Sequence, residues 1–305
     1  MSQQLKNRPF QDIPGAQDWE LIEKIEAGWS HDLKYYIQDQ SGSQFLLRIS
    51  DQKDLLEERH LYHSFQNLPK LSSHFPQLIK EGYCNKNQGT YRLFSWIAGV
   101  PALDKIASFT PEQCYHLGLQ AGRLLKHIHA APVEEQHLVD WVAYYQAKID
   151  RKLDAYAKCH LKYDKGEALI DFIQQTRHLL AAQKQCFLHG DYHIGNMLIT
   201  PAEDIAIIDF NRLEYADPWA EFNRINWTAQ ASPLLAKGQI EAYFDFSIPE
   251  TFFHWMALFI AVNQIGALPW AMDYSEKDVK TIIRQTEEIL VWYQDFQQII
   301  PSWHA

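Results

Sequence analysis

The hydrophobic period of this chain is mainly that of strands in its first third and mainly that of helices afterwards, and this order limits what it can fold into. Up to residue 94, apolar residues alternate or fall in short runs bounded by turn formers. Beyond Thr110 they recur every three or four residues. A period of two suits strands and a period near 3.6 suits helices. The order predicts an α+β chain with two lobes: a small antiparallel β-sheet lobe with one helix, then a larger, mainly helical lobe.

In the first part, strands are expected over 19–27, 33–38 and 44–50, with a turn cluster at 39–42. Within 44–50, Phe45, Leu47 and Ile49 share one face and Leu46, Arg48 and Ser50 the other. Residues 51–68 read as a helix carrying Leu55, Glu58, Tyr62 and Phe65 on one stripe, which sets a carboxylate on a mainly apolar face. A short β unit follows at 82–83 and 90–94, and residues 95–101 read as an extended connector. A chain of 305 residues is long for one hydrophobic core. The expected division is a nucleotide-binding lobe at 1–97 and a helical lobe at 98–305 holding the catalytic loop and acceptor site.

Thr110-Pro111-Glu112-Gln113 forms a capping box with proline at the first helical position. The helix it opens carries Leu117, Ala121, Leu124, Leu125 and Ile128. Further helices are expected over 134–157, 166–182, 218–230, 250–265 and 275–298, the last capped by Ser275. Short β segments are expected at 186–188, 197–199 and 205–208. Residues 1–12 are polar and lack periodicity, so disorder is expected there.

The formal net charge of -10 argues against nucleic-acid binding, which needs clustered Lys and Arg. An acidic surface tolerates cationic substrates. Four scattered cysteines, none in a C-x-x-C pair, argue against a disulfide framework and a zinc site. The first ten residues lack an apolar segment and no run reaches membrane-spanning length, so no membrane partner and a cytoplasmic location are expected.

The chemistry concentrates in His189-Gly190-Asp191-Tyr192-His193-Ile194-Gly195-Asn196, followed by Ile205-Ala206-Ile207-Ile208-Asp209-Phe210. One carboxylate stands five residues before an amide, and a second emerges after an apolar run. That set suits transfer of a phosphoryl group from a magnesium-held nucleotide. Asp191 would position and deprotonate an attacking hydroxyl, while Asn196 and Asp209 hold the metal. His189 reads as a loop-holding residue and His193 as solvated or loop-packing. In the first lobe, Gly28-Trp29-Ser30 lies between two strand candidates, where a turn can present N–H groups to phosphates. Arg48 suits a two-pronged contact to phosphate oxygens, with Glu58 pairing to orient it.

These residues resemble the aminoglycoside phosphotransferase/choline kinase-like small-molecule kinases, relatives of the protein-kinase fold. The resemblance spans nearly the whole chain and rests on His189-Gly-Asp191…Asn196, on Ile207-Ile-Asp209-Phe210 and on Asp217-Pro218. It implies Asp191 as catalytic base and Asn196 and Asp209 as Mg2+ ligands. It puts Arg48 at the strand-three cation, where many relatives have Lys, and Glu58 at the helix glutamate. The connector, with Ser95, Trp96 and Ile97, takes the place of the hinge that receives adenine through its backbone. Asp217 resembles an aspartate that braces the active-site loops. The glycine loop is thin, with Gly28 and Ser30 its candidates, and relatives often carry another aspartate near Asn223.

The implied activity is an O-kinase using ATP, with GTP an alternative, and Mg2+. Its acceptor is a small-molecule alcohol, with a cationic aminoglycoside-like compound or an amino-alcohol or sugar among the candidates. Trp219, Trp227, Trp255, Trp270 and Trp292 are expected mainly in the core, a minority lining the acceptor pocket. Glu214 and Glu221 are expected on a solvated surface. Two rival readings stand beside the kinase. One is a metallohydrolase or oxygenase using His189, Asp191 and His193; the other is a catalytically silent nucleotide- or ligand-binding module.

Overall fold

Alternation in the first hundred residues folds into one antiparallel sheet. The computed structural model describes residues 10–26, 32–51, 55, 58–68 and 74–305. The chain divides into two compact units, Met1–Gly99 with Ala206–Ile208, and Val100–Ile205 with Asp209–Ala305.

The first unit contains β1 (Trp19–Ile25), β2 (Leu33–Asp39), β3 (Gln44–Asp51), α1 (Arg59–Gln66), β4 (Leu78–Cys84) and β5 (Gly89–Ser95), with the strands in the order β1-β2-β3-β5-β4. Leu47 and Ile49 enter the core with Ile37, Tyr91 and Leu93, as their shared face requires. Phe10 and Ile13 join that core, and the Asp12 carboxylate accepts hydrogen bonds from the Asn85 and Lys86 N–H groups, both 2.9 Å. The disorder expected over 1–12 therefore fails at 10–12; residues 1–9 lie outside the described residues. The expected helix over 51–68 is described only as α1, whose stripe residues Tyr62 and Phe65 are buried.

The second unit begins with β6 (Val100–Pro101), α2 (Ala102–Lys105), α3 (Pro111–His129), α4 (Trp141–Lys158) and α5 (Gly166–Thr176). The predicted capping box forms: Gln113 N–H donates to Thr110 Oγ1 (3.2 Å) and Thr110 N–H to Gln113 Oε1 (2.9 Å). Then come β7 (Cys186–Leu188), β8 (Met197–Ile199), β9 (Ile205–Ile207) and β10 (Glu214–Ala216), followed by a 3-10 turn at Pro218–Arg224. The chain ends with α6 (Ile225–Ala231), α7 (Pro233–Tyr243), α8 (Glu250–Met272) and α9 (Glu276–Trp292). The expected helix over 218–230 is thus a 3-10 turn joined to α6.

Sequence periodicity overlooks α7. It packs on α3 through small residues rather than an apolar stripe. A Cβ at Gly118 would lie 2.3 Å from the Leu235 carbonyl oxygen, and one at Gly122 2.3 Å from that of Gln239. The two backbones approach because those side chains are absent.

Against the sequence expectation, α8 is long and apolar enough to cross a membrane. Most of its apolar window, 72%, is buried inside the protein, and α4, α5 and α9 pack along it. Its sides read as those of a core helix.

Candidate active site

Two short strands hold the loop that carries Asp191. β7 and β10 pair antiparallel, setting Leu188 opposite Glu214. The loop leaves β7 through Gly190, whose φ is +78° and whose added Cβ would meet the Arg212 carbonyl oxygen at 1.8 Å. Only glycine fits there. Beyond it, the buried Tyr192 donates from its hydroxyl to the Ala121 carbonyl on α3 (2.7 Å), and Ile194 N–H donates to Thr228 Oγ1 on α6 (3.1 Å).

Glu221 supports the same loop from below. Its carboxylate accepts hydrogen bonds from His189 N–H (2.8 Å) and Gly190 N–H (3.0 Å) and is only 2% exposed. Burial raises its pKa. His129, 3.5 Å away, His189 and the Gly190 N–H outweigh burial and hold it below the ordinary value. The expectation of a solvated surface for Glu221 is wrong, and Glu214 is half-buried, its pKa raised by desolvation. Both corrections have one cause: β10 and the turn after it fold inward on β7, which residue spacing does not reveal. Asp217 lies at the start of that turn, completely buried. Its Oδ1 accepts from Trp219 N–H (2.8 Å), and burial pushes its pKa up to about 6.

Asp191 is 9% exposed, with two arginines and a histidine around it. Arg224 donates to its Oδ1; His193 Nε2 lies 3.4 Å from the same oxygen, and Arg212 Nε lies 3.7 Å from Oδ2. Burial pushes the carboxyl up, but His193, Arg224 and Arg212 together hold it far below the ordinary range. Asn196 donates from its amide nitrogen to the Asp191 carbonyl (2.9 Å). This joins two of the expected site residues and leaves the Asn196 amide oxygen as its acceptor group. Asp209 follows β9 in a left-handed conformation, φ 67°, in a tight turn where Asn211 N–H donates to the Asp209 carbonyl (2.9 Å). Asn196 and Asp209 supply the oxygen donors that magnesium prefers; its usual remaining ligands are water and phosphate.

The donor sets of His189 and His193 do not suit a transition metal. His189 Nδ1 accepts from Asp191 N–H (3.2 Å) and His193 Nδ1 from Gly195 N–H (3.1 Å), so neither lone pair is available. Among the described residues, no three His, Cys, Asp or Glu side chains group to hold a metal. His193 is also more than a loop-packing residue, since it stands between Asp191 and the Trp227 ring, whose centroid is 5.6 Å away.

In the first unit, Arg48 on β3 is buried and donates to Asp32 Oδ2 at 2.5 Å. Its register neighbours are Lys34 on β2 and Arg92 on β5, so three cations line up across the strands. Such a row is unfavourable without counter-charges. Asp32 answers Arg48, while Glu58 and Glu81 take the buried Arg92 at 2.8 and 3.2 Å. Arg92, absent from the sequence reading, also covers the Tyr62 ring at 3.7 Å from its centroid. Gly28, Trp29 and Ser30 lie outside the described residues.

Along the connector, Ser95 N–H donates to Gln77 O (2.8 Å) and Trp96 N–H to Gln44 O (3.1 Å). Both donors are thereby committed to the protein. Ile97 N–H has no hydrogen-bond partner among the described residues.

Beside this loop, the second unit forms an open pocket of 370 Å³ reaching Gly190, Arg212 and Arg224. Lys148 and Lys152 of α4 line it with Glu214. Its aromatic walls are Tyr145 and Phe259, and none of the five tryptophans noted above takes part. Trp219 and Trp255 pack against each other instead, centroids 5.3 Å apart.

Comparison with known proteins identifies the family and the fold. The family model described as the phosphotransferase enzyme family matches residues 21–255. The fold is similar to a thermostable mutant of the aminoglycoside phosphotransferase APH(4)-Ia in its apo form, with 16% identity, 88% of this chain and 93% of that chain covered and a TM-score of 0.64. It is similar also to spectinomycin phosphotransferase APH(9)-Ia, solved with ADP and spectinomycin (13%, 89% and 90%, 0.62). A third similar structure is amicoumacin kinase hAmiN, solved with AMP-PNP, Ca2+ and its antibiotic (15%, 92% and 90%, 0.61). No curated protein sequence matches the chain significantly. Asp191 on its braced loop, with Asn196 tied to it, therefore lies in a small-molecule kinase, and the chain belongs to the phosphotransferase enzyme family.

Proposed function

We propose that this protein transfers the γ-phosphoryl group of ATP to a hydroxyl of a small molecule, with magnesium. One observation carries this reading: Asp191 is a buried carboxylate held ionised by Arg224, His193 and Arg212 beside a cavity large enough for an acceptor. A carboxylate so strongly stabilised is a weak base. It suits phosphoryl transfer, where the transition state is loose and the hydroxyl needs orientation more than early deprotonation.

In this reading Asp191 accepts the hydrogen bond of the acceptor hydroxyl and takes its proton as the acceptor oxygen bonds to phosphorus. The bond to the bridging oxygen breaks, and that oxygen leaves on ADP. Asn196 and Asp209 hold the magnesium, which neutralises charge on the phosphate oxygens when bound. Arg48, supported by Asp32, is assigned to the nucleotide phosphates, and Glu58 to ordering the neighbouring cations through Arg92. Ser95 and Trp96 frame the adenine-binding backbone, and Ile97 supplies its N–H donor.

The experiment is turnover of ATP by the purified chain with magnesium and a panel of hydroxyl compounds. ADP release that needs both magnesium and an acceptor supports the reading. Nucleotide binding without acceptor-dependent release supports the silent module instead.

A further inference from the structure

A chain of net charge -10 gathers four basic side chains, Lys148, Lys152, Arg212 and Arg224, around a 370 Å³ pocket next to the Asp191 loop. Glu214 is the one carboxylate in the lining, and desolvation disfavours its charged form. Arg224 and Arg212 are partly answered by Asp191, just outside the lining. Glu214 attracts both lysines but pairs directly with neither. Among the described residues neither forms an ion pair: Lys148 lies 5.5 Å from the Tyr145 ring centroid, and Lys152 donates to the Val262 carbonyl at 3.2 Å. Basic groups that outnumber the carboxylates at a partly desolvated site are costly to keep charged unless an anion completes them.

We propose that the acceptor is an anionic hydroxyl compound whose carboxylate or phosphate-ester group is gripped by Lys148, Lys152, Arg212 and Arg224, with its hydroxyl delivered to Asp191. This rests on the kinase reading above and goes further, since that reading and the acidic overall charge leave a cationic acceptor open. Arg224 makes the arrangement work. It touches Asp191 and faces the cavity, so one guanidinium can hold the acceptor's anion and the catalytic carboxylate in a fixed relation. Asn223 and Asn263 in the lining supply amides for further hydroxyls. The volume is at the small end for ligand cavities, which suits a compact acceptor.

The test uses the full chain, magnesium and paired probes: gluconate with gluconamide, ribose 5-phosphate with ribose, and kanamycin as the cationic arm. Two quantities are read: the thermal midpoint with a nonhydrolysable nucleotide, and ADP release with ATP. The anionic member of at least one pair is expected to raise the midpoint and to show at least about tenfold higher kcat/KM than its neutral partner. Which pair responds separates carboxylate from phosphate ester. Lys148→Met is expected to erase that preference by raising the KM of the anionic acceptor while the KM for ATP holds, and Arg212→Gln, at a more exposed position, to weaken it.

Three results overturn the proposal: no midpoint preference for either anion over its neutral partner, kanamycin or a neutral member used as well as the anions, or Lys148→Met raising the ATP KM instead. Turnover of neutral acceptors alone sinks this inference and leaves the kinase standing. Absence of both ATP binding and ADP release sinks the kinase, and the midpoint comparison without nucleotide still decides the anion site.

Discussion

Arg224 donates a hydrogen bond to Oδ1 of Asp191 across 33 residues of sequence, joining the turn that precedes α6 to the catalytic loop. The pair explains how a nearly buried carboxylate stays ionised. It also fixes where Asp191 points, which the proposed positioning role needs more than basicity.

Arg224→Met is therefore expected to lower kcat by about 10- to 100-fold through misplacement of Asp191, with little change in the KM for ATP. Arg224→Lys should recover part of the loss, since charge is retained without the guanidinium's geometry. Steady-state kinetics on the three proteins checks this. A rise in ATP KM with kcat preserved would assign Arg224 to the nucleotide instead.

Glu221 braces the loop through two backbone donors, His189 and Gly190. Glu221→Gln keeps the shape, loses the charge and turns an acceptor oxygen into a donor facing a backbone N–H. We expect a loss of about 1.5–3 kcal/mol in chemical unfolding. Gly190→Ala should be worse, because the methyl group strikes the Arg212 carbonyl and the backbone is left-handed. Unfolding curves of equal slope in both variants would separate lost stability from a changed unfolded state.

Lys152 ties pH to the cavity. Burial first, then Lys148 and Arg224, push its pKa from the ordinary 10.5 down to about 7, and Glu214 opposes them; Val262 O is its hydrogen-bond partner. The unfolded lysine keeps its proton to about pH 10.4, whereas the folded one releases it above about 7. Unfolded chains thus bind more protons in that window, and this residue makes stability rise with pH between 7 and 10. Lys152→Met should flatten that slope in denaturant titrations at several pH values. Anionic acceptors should bind more tightly in the wild type as pH falls through 7.

Asn196→Ala and Asp209→Ala are expected to weaken the magnesium–nucleotide complex more than free nucleotide, each by about tenfold or more. Calorimetric titration of ATP with and without magnesium measures the difference. Equal losses in both conditions would remove the metal assignment.

The change of period foretold the sheet and the helical remainder, because burial on one face leaves a regular mark on sequence. The motif exposed Asp191 and Asn196 because their spacing lies within one loop. Glu221, Arg224 and Arg212 were missed as partners because they flank β10, which pairs with β7 before the loop, and pairing at such a distance leaves no periodic trace. A signal existed for Glu221: it stands four residues after Asp217, inside the turn which that aspartate caps. For α7, the signal was Ser232-Pro233, a cap followed by proline at the first helical position, hidden by the glycine and alanine that let the helix pack closely. Arg92 escaped notice because strand register, not sequence, brings it beside Arg48.

The most direct test of the account follows γ-labelled ATP incubated with magnesium and hydroxyl acceptors, using wild type and Asp191→Asn. The account predicts label on a small-molecule product of the wild type, and a rate about two to four orders of magnitude lower in the variant, with ATP still bound. Transfer by Asp191→Asn at the wild-type rate would contradict it.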